Sequence, residues 1–152
     1  MNSTYIHRAL STDNSLTGLA LRIPAGVIFA AHGAQKLFGS FGGYGLEGTG
    51  QWMASIGLEP GYLMALASGS VEFFGGIALL LGLLTRPSAL LLAITMLVAI
   101  ITVHLPNGLF LSNNGYEFGL ALLAITVALA FNGGGKLSLD RTLNGLLNKP
   151  KL

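Results

Sequence analysis

The sequence predicts an all-α polytopic membrane protein: a bundle of four bilayer-crossing helices with both termini in the cytoplasm. Three observations predict it. The chain is 52% hydrophobic and only 9% charged, whereas a soluble domain carries about 25% charged residues to solvate its surface. Four stretches approach the roughly 20 apolar residues needed to cross about 30 Å of hydrocarbon. Lysine and arginine gather in alternate connections, the asymmetry that orients such a bundle in its membrane.

Residues 1–17 form a polar N-terminal tail containing Arg8, and the first span runs from about Gly18 to Phe38. Arg8, the apolar stretch and the small residues around Ala31 to Ala34 have the outline of a secretory signal. Arg22 interrupts that apolar run, however, and His32 falls inside the would-be cleavage position, so the segment reads as a retained span. The connection 39–61 is glycine-rich at first. A short helix from about Thr49 to Ile56 would put Trp52, Met53 and Ile56 on one side, an interfacial pattern; an ordered loop is the plainer alternative.

The second span covers about Tyr62 to Leu84 and the third about Pro87 to Leu105. The third contains LLLAITMLVAIITV without a charge; Pro87 suits its first turn, where a missing N–H costs little, and Pro106 and Asn107 close it. The fourth span covers about Tyr116 to Phe131. The tail, 132–152, leaves the membrane at three glycines, and its leucine-rich part, Leu137 to Leu147, is expected along the inner surface. No run alternates at period two, as strands would. A soluble bundle would need a polar face on every helix, and the third span has none.

Arg8, Arg22, Arg86, Lys136, Arg141, Lys149 and Lys151 fall on one side of this arrangement, and Lys36 alone lies near the other. That places both ends in the cytoplasm.

Several ionisable groups nevertheless lie within the spans. Each costs at least about 2.5–3.5 kcal/mol at the bilayer centre on insertion scales, so such groups normally face the bundle interior and mark function. At about 100° per residue, Arg22, Gly26, Phe29, Gly33 and Lys36 form one stripe on the first span, with His32 at its edge. Ala65, Ser68, Gly69, Glu72, Gly75 and Gly76 form another on the second, and Glu117, Ala121, Ala124 and Ala128 a third on the fourth. Small residues allow close helix contact in membranes, so the acids are expected to look inward. Ser88, Thr95 and Thr102 make the polar stripe of the third span. His104 points nearly opposite to it unless the last turn unwinds before Pro106.

The expectation is a pocket opening on the periplasmic side and lined by His32, Lys36, Glu72, His104 and Glu117, with Glu72, Glu117 and His104 as the proton-transferring, catalytic candidates. In the alternative reading, Glu72 and Glu117 only neutralise Lys36, Arg22 or a protonated histidine, and such buried pairs are weak evidence for stability. No metal site is expected, since no tight ligand spacing such as HExxH occurs. With no cysteine, disulfides, thiol chemistry and thiolate-held iron–sulfur clusters are excluded on this chain.

The arginine opening the first span (Arg22), the GAQKLF run with Gly33 and Lys36, and GSVEFFGGIALLLGLLTRPSAL with Glu72, Gly75, Gly76, Gly82, Thr85 and Arg86 resemble the DoxX family of small bacterial inner-membrane proteins. His104 ending the third span and Glu117 opening the fourth match as well. The likeness covers about Leu19 to Leu129, and its most specific part is the second-span run. It implies a four-helix membrane fold related to the small membrane subunit of thiosulfate:quinone oxidoreductase, and a link to membrane-associated redox complexes.

Two functional classes are open to such a chain. In the first, it is a quinone-associated membrane component, at most one subunit of an oxidoreductase. Lys36 or a histidine donates to a quinone oxygen and the glutamates pass protons. Without cysteine, a flavin fingerprint or a haem motif it cannot move electrons alone, so a redox partner protein or soluble donor is required; haem held by His32 and His104 is only weakly signalled. In the second, it is a non-catalytic scaffold subunit or a small-solute transporter, the latter requiring a homo-oligomer. The lipid bilayer is the expected partner in both, and nucleic acid in neither.

Overall fold

The structure, a computed structural model, describes residues 3–147; Lys149 and Lys151, two of the cations used to orient the chain, lie outside the described residues. The described residues are helical throughout, without strands. The helices are α1 (Ser3–Ala9), α2 (Thr17–Phe38), α3 (Gly45–Ser55), α4 (Gly61–Leu81), α5 (Thr85–Ala99), α6 (Glu117–Asn132) and α7 (Leu139–Leu147). The four expected spans overlap α2, α4, α5 and α6; α5 itself ends at Ala99, and the stretch expected to reach Leu105 continues beyond it in irregular turns. The short helix expected at Thr49–Ile56 is α3, one turn longer at its start.

Two helical stretches are long and apolar enough by themselves to cross a membrane: Gly61–Leu81, and the continuous Thr85–Asn107 formed by α5 and the turns after it. α6 is apolar but has 16 residues, about 24 Å at 1.5 Å per residue. α2 has 22 residues but carries Arg22, His32, Gln35 and Lys36. The outer faces are apolar. Leu63, Leu66, Phe74 and Ile77 of α4, and Leu90, Leu91, Ile94, Leu97 and Val98 of α5, all stand exposed. A water-soluble bundle would carry its polar residues there.

The core is small. Ala25 and Phe29 of α2, Leu79 of α4, Ala89, Leu92 and Met96 of α5, and Leu122 and Leu129 of α6 form one cluster. α2 lies closely along α4 because glycines permit it: a Cβ on Gly33 would stand 2.3 Å from the Phe73 nitrogen, and one on Gly76 2.4 Å from the Ala30 nitrogen. Arg22, Gly26, Phe29 and Gly33 are buried along α2, and Ala65, Gly69, Glu72 and Gly76 along α4. These are the two small-residue stripes that helical periodicity predicts.

The stripe on the fourth span does not behave as expected. On α6 the buried residues are Leu122, Thr126 and Leu129, while Glu117, Ala121 and Ala124 are exposed. An apolar helix offers several packable faces, and the bulkier one fills the space against α5 better than alanine does.

The termini are part of the fold. Both tails pack at the same end of the bundle and bind each other: Asp13 N–H donates to Asn132 O (3.0 Å), Lys136 N–H to Ser15 O (2.9 Å) and Gly135 N–H to the Thr12 hydroxyl (2.6 Å). Gly133, Gly134 and Gly135, expected as an exit from the membrane, are buried. The leucine-rich segment beyond them does form the short helix α7, with Leu139, Leu143, Leu146 and Leu147 exposed and Asp140 buried.

Candidate functional site

The end of the bundle opposite the tails holds the ionisable cluster. Lys36 sits in the last turn of α2 and Glu72 in the middle of α4. The close α2–α4 approach allowed by Gly33 and Gly69 brings the two side chains into a direct ion pair, the Lys36 ammonium donating to Glu72 Oε2. Glu72 is 3% exposed, and the Lys36 side chain 23%. A carboxylate so buried keeps its charge only with a partner, and Lys36 is that partner.

His104 joins them through an irregular helix end. After Ala99 the third span continues as a π-helical turn, Ile100–His104, in which Leu105 N–H reaches back to Ile100 O. The extra residue rotates the rest of the segment about 100° off the α-helical register. A short 3-10 turn, Leu105–Asn107, containing Pro106 then closes the segment. This is the departure from regularity on which the inward placement of His104 depends. His104 Nδ1–H donates to the carbonyl of Asn114 at 2.9 Å, since a carbonyl can only accept. In its neutral form the ring then presents Nε2 as an acceptor.

His32, one turn before Lys36, is exposed at the residue level. Its ring lies 6.5 Å from that of Phe118. A cavity of about 140 Å3 between α2, α5 and α6 is lined by His32, Lys36, Glu72 and His104 together with apolar residues such as Phe29 and Met96. Four of the five expected site residues thus share one cavity wall.

Glu117 does not line this cavity. Its Oε1 accepts from Leu111 N–H at 2.6 Å, and its own N–H donates to Leu109 O at 2.9 Å. It fixes the 108–117 connection, in keeping with its exposed position on α6. Arg22 is not a partner of either glutamate, for it binds backbone carbonyls at the far end of α2. Among the described residues no three His, Asp or Glu side chains converge as a metal-binding group.

Two further cavities reach Lys36. A vestibule of about 530 Å3 lies between the end of α2 and α3, lined by residues including His32, Lys36, Tyr44, Thr49 and Trp52. A groove of about 410 Å3 runs on the other side between α3, α4 and α5 and reaches Lys36, Glu72 and His104. Lys36 alone borders all three spaces. Periodicity marks Trp52 only as an interfacial residue; its place in both the vestibule and the groove depends on how α3 folds back on α4, which no local pattern encodes.

A family model described as DoxX matches residues 18–105. The chain is 40% identical over 122 residues to "Putative oxidoreductase CatD" of Bacillus subtilis, covering 80% of this chain and 83% of that protein. It is 35% identical over 132 residues to the inner membrane protein YqjF of Escherichia coli, covering 83% and 91% respectively. A membrane protein of Mycobacterium tuberculosis, Rv3486, is 33% identical over 149 residues, covering 90% and 87%. No solved structure matches the chain.

Proposed function

Because the chain belongs to the DoxX family of membrane proteins, we propose that it crosses the bacterial inner membrane with four helices and serves there as the quinone-binding subunit of a redox system. The observation that carries this reading is the cavity at which a buried glutamate, paired with a half-buried lysine, meets a histidine whose Nδ1–H is held by a carbonyl. A quinone ring needs donors for its carbonyl oxygens and, once reduced, acceptors for its hydroxyl protons. The Lys36 ammonium supplies the first and His104 Nε2 the second, with Glu72 holding Lys36 in place and His32 leading toward the vestibule. The name of CatD as an oxidoreductase supports the redox class. The chain has no cysteine, so its part is to hold the ring and move protons, while a partner protein or soluble reductant supplies the electrons.

The test uses the protein's own probe. Trp52 is the single tryptophan and lines the vestibule and the groove that both reach Lys36, so a quinone bound at Lys36 is expected to quench its fluorescence. Titration of the purified protein in lipid nanodiscs with ubiquinone-0, a headgroup without a tail, is expected to saturate. Glu72→Gln is expected to weaken binding by about tenfold or more, equivalent to about 1.4 kcal/mol, in a protein that still melts cooperatively. Unsaturable quenching, or equal affinity in the variant, would refute the site.

The cation distribution supports an orientation with both tails in the cytoplasm and the vestibule facing the periplasm. The absence of cysteine makes this directly measurable. An impermeant maleimide added to intact cells is expected to label Ser112→Cys and to leave Lys136→Cys unlabelled until the cells are permeabilised. The reverse pattern would turn the bundle over.

A scaffold reading is favoured by one observation, the direct contact of Lys36 with Glu72, which by itself would join α2 to α4. The two readings part on the joint replacement of Lys36 and Glu72 by apolar residues: a pure scaffold loses nothing but the contact, whereas a quinone site loses its ligand.

A further inference from the structure

The groove of about 410 Å3 differs in chemistry from the vestibule, although Lys36 and Trp52 border both. Its walls are Met64, Ala67 and Val71 of α4 and Ile94 and Val98 of α5. Its polar residues along α5 are silenced, because Thr95 Oγ1 donates to Leu91 O (3.1 Å) and Thr102 Oγ1 to Val98 O (2.8 Å). Both hydroxyl protons are spent on the helix's own backbone. On α4, Ser68 Oγ likewise donates to Met64 O (2.8 Å), so the side chains left to bind a polar group are chiefly Lys36, Glu72, His104 and Asn114. Trp52 and Met53 of α3 also line the groove, and its α4 and α5 walls belong to the stretches apolar enough to cross a membrane, Gly61–Leu81 and Thr85–Asn107. Met64, Ile94 and Val98 on its rim are exposed. In a bilayer that rim faces acyl chains, not water.

From this geometry we propose that the ligand is an amphiphile bearing a long alkyl or isoprenoid chain, and that the chain lies in the groove between α4 and α5. The ligand enters sideways from the membrane, and its polar ring stops at Lys36, where the water-side vestibule begins. The inference rests on the quinone reading for the identity of the ring and on the groove alone for the chain. A water-soluble aromatic would use the vestibule and leave the groove to lipid. A membrane-dissolved quinone needs the lateral opening, because its tail cannot cross the aqueous mouth without exposing apolar surface.

The test compares ubiquinone-0 with decylubiquinone, a closely similar headgroup carrying a decyl chain, using Trp52 quenching of the full chain in nanodiscs. Ala67→Phe fills the groove at an exposed position five residues before Glu72, about 7.5 Å along the axis of α4. Decylubiquinone is expected to bind the native chain roughly tenfold more tightly than ubiquinone-0 through the added packing contacts. Ala67→Phe is expected to remove that gain and leave ubiquinone-0 binding unchanged. Equal affinities for the two ligands in the native chain would overturn the inference. So would a gain that survives Ala67→Phe, since the tail would then be dissolving in lipid. If ubiquinone-0 fails to bind while decylubiquinone binds in a manner sensitive to Ala67→Phe, the groove stands and the quinone headgroup reading falls.

Discussion

Replacing Lys36 and Glu72 together by methionine is expected to leave the protein about as stable as the native chain and to abolish quinone binding, whereas either single replacement destabilises it. Removing one partner of a buried pair typically costs about 3–5 kcal/mol, because the other charge is left uncompensated, while replacing both by apolar groups of similar volume is often neutral or stabilising. The two single variants are not equivalent. Glu72 is 3% exposed, so Lys36→Met leaves a buried carboxylate without its cationic partner. The Lys36 side chain is 23% exposed and borders the vestibule, so after Glu72→Met its ammonium can turn toward the opening. Lys36→Met is therefore expected to lower the melting temperature more than Glu72→Met, with the double variant above both. A thermal-melting double-mutant cycle in detergent reads the coupling directly. A double variant that is stable and still binds quinone would remove the pair from the site; one less stable than either single variant would favour the scaffold reading.

The parts of this arrangement legible in sequence are those carried by helical periodicity. The stripes Arg22–Gly26–Phe29–Gly33 and Ala65–Gly69–Glu72–Gly76 each mix small residues with a charged one, a pattern that only an interior face tolerates in a membrane, and both are buried. The stripe Glu117–Ala121–Ala124–Ala128 has the same composition but faces outward for most of its length. Alanine is small enough for close packing and apolar enough for lipid, so the period alone does not assign the face. Glu117 stands at a helix start, where a loop N–H competes for its carboxylate. His104 has two orientations open to it in sequence, because a π turn adds one residue to the backbone without any residue type that announces it. The tail reads as leaving the membrane because glycine and polar residues outside a span usually do. Its buried members are explained only by contacts distant in sequence: the Asp140 carboxylate accepts from Leu84 N–H (2.6 Å) and Thr85 N–H (2.8 Å), 56 and 55 residues away.

That tail contact sets up the second large effect, at the opposite end of the bundle. Arg22 is 2% exposed, and its guanidinium donates to the carbonyls of Leu79 (2.9 Å), Leu80, Gly134 (3.0 Å) and Leu137 (2.5 Å). Leu79 and Leu80 lie in the last turn of α4, where carbonyls run short of intrahelical donors and form the negative end of the helix dipole; Leu79 O also accepts from Gly82 N–H (3.0 Å). Gly134 and Leu137 belong to the tail. One planar fork thus satisfies α4 and fastens the tail across it, while Asp140 caps the start of α5. Arg22→Leu takes the arginine's donors from the carbonyls of Leu80, Gly134 and Leu137, while Leu79 O keeps the Gly82 N–H, and is expected to cost about 3 kcal/mol or more, at the full desolvation penalty for buried polar groups. Arg22→Lys is expected to recover only part of this, because a point charge cannot reproduce the fork. Asp140→Asn keeps the shape but gives up the charge, and is expected to cost about 1 kcal/mol, within the range of lost helix caps. Arg22 and Lys36 are fourteen residues apart on α2, about 21 Å along its axis, so the two ends should behave independently. Hydrogen exchange separates them: Arg22→Leu is expected to deprotect 133–147 and the first turn of α5 and to leave ubiquinone-0 affinity unchanged. Native-like protection of 133–147 in that variant would mean that the tail is held by the N-terminal segment alone, and that the arginine serves some purpose other than fastening it.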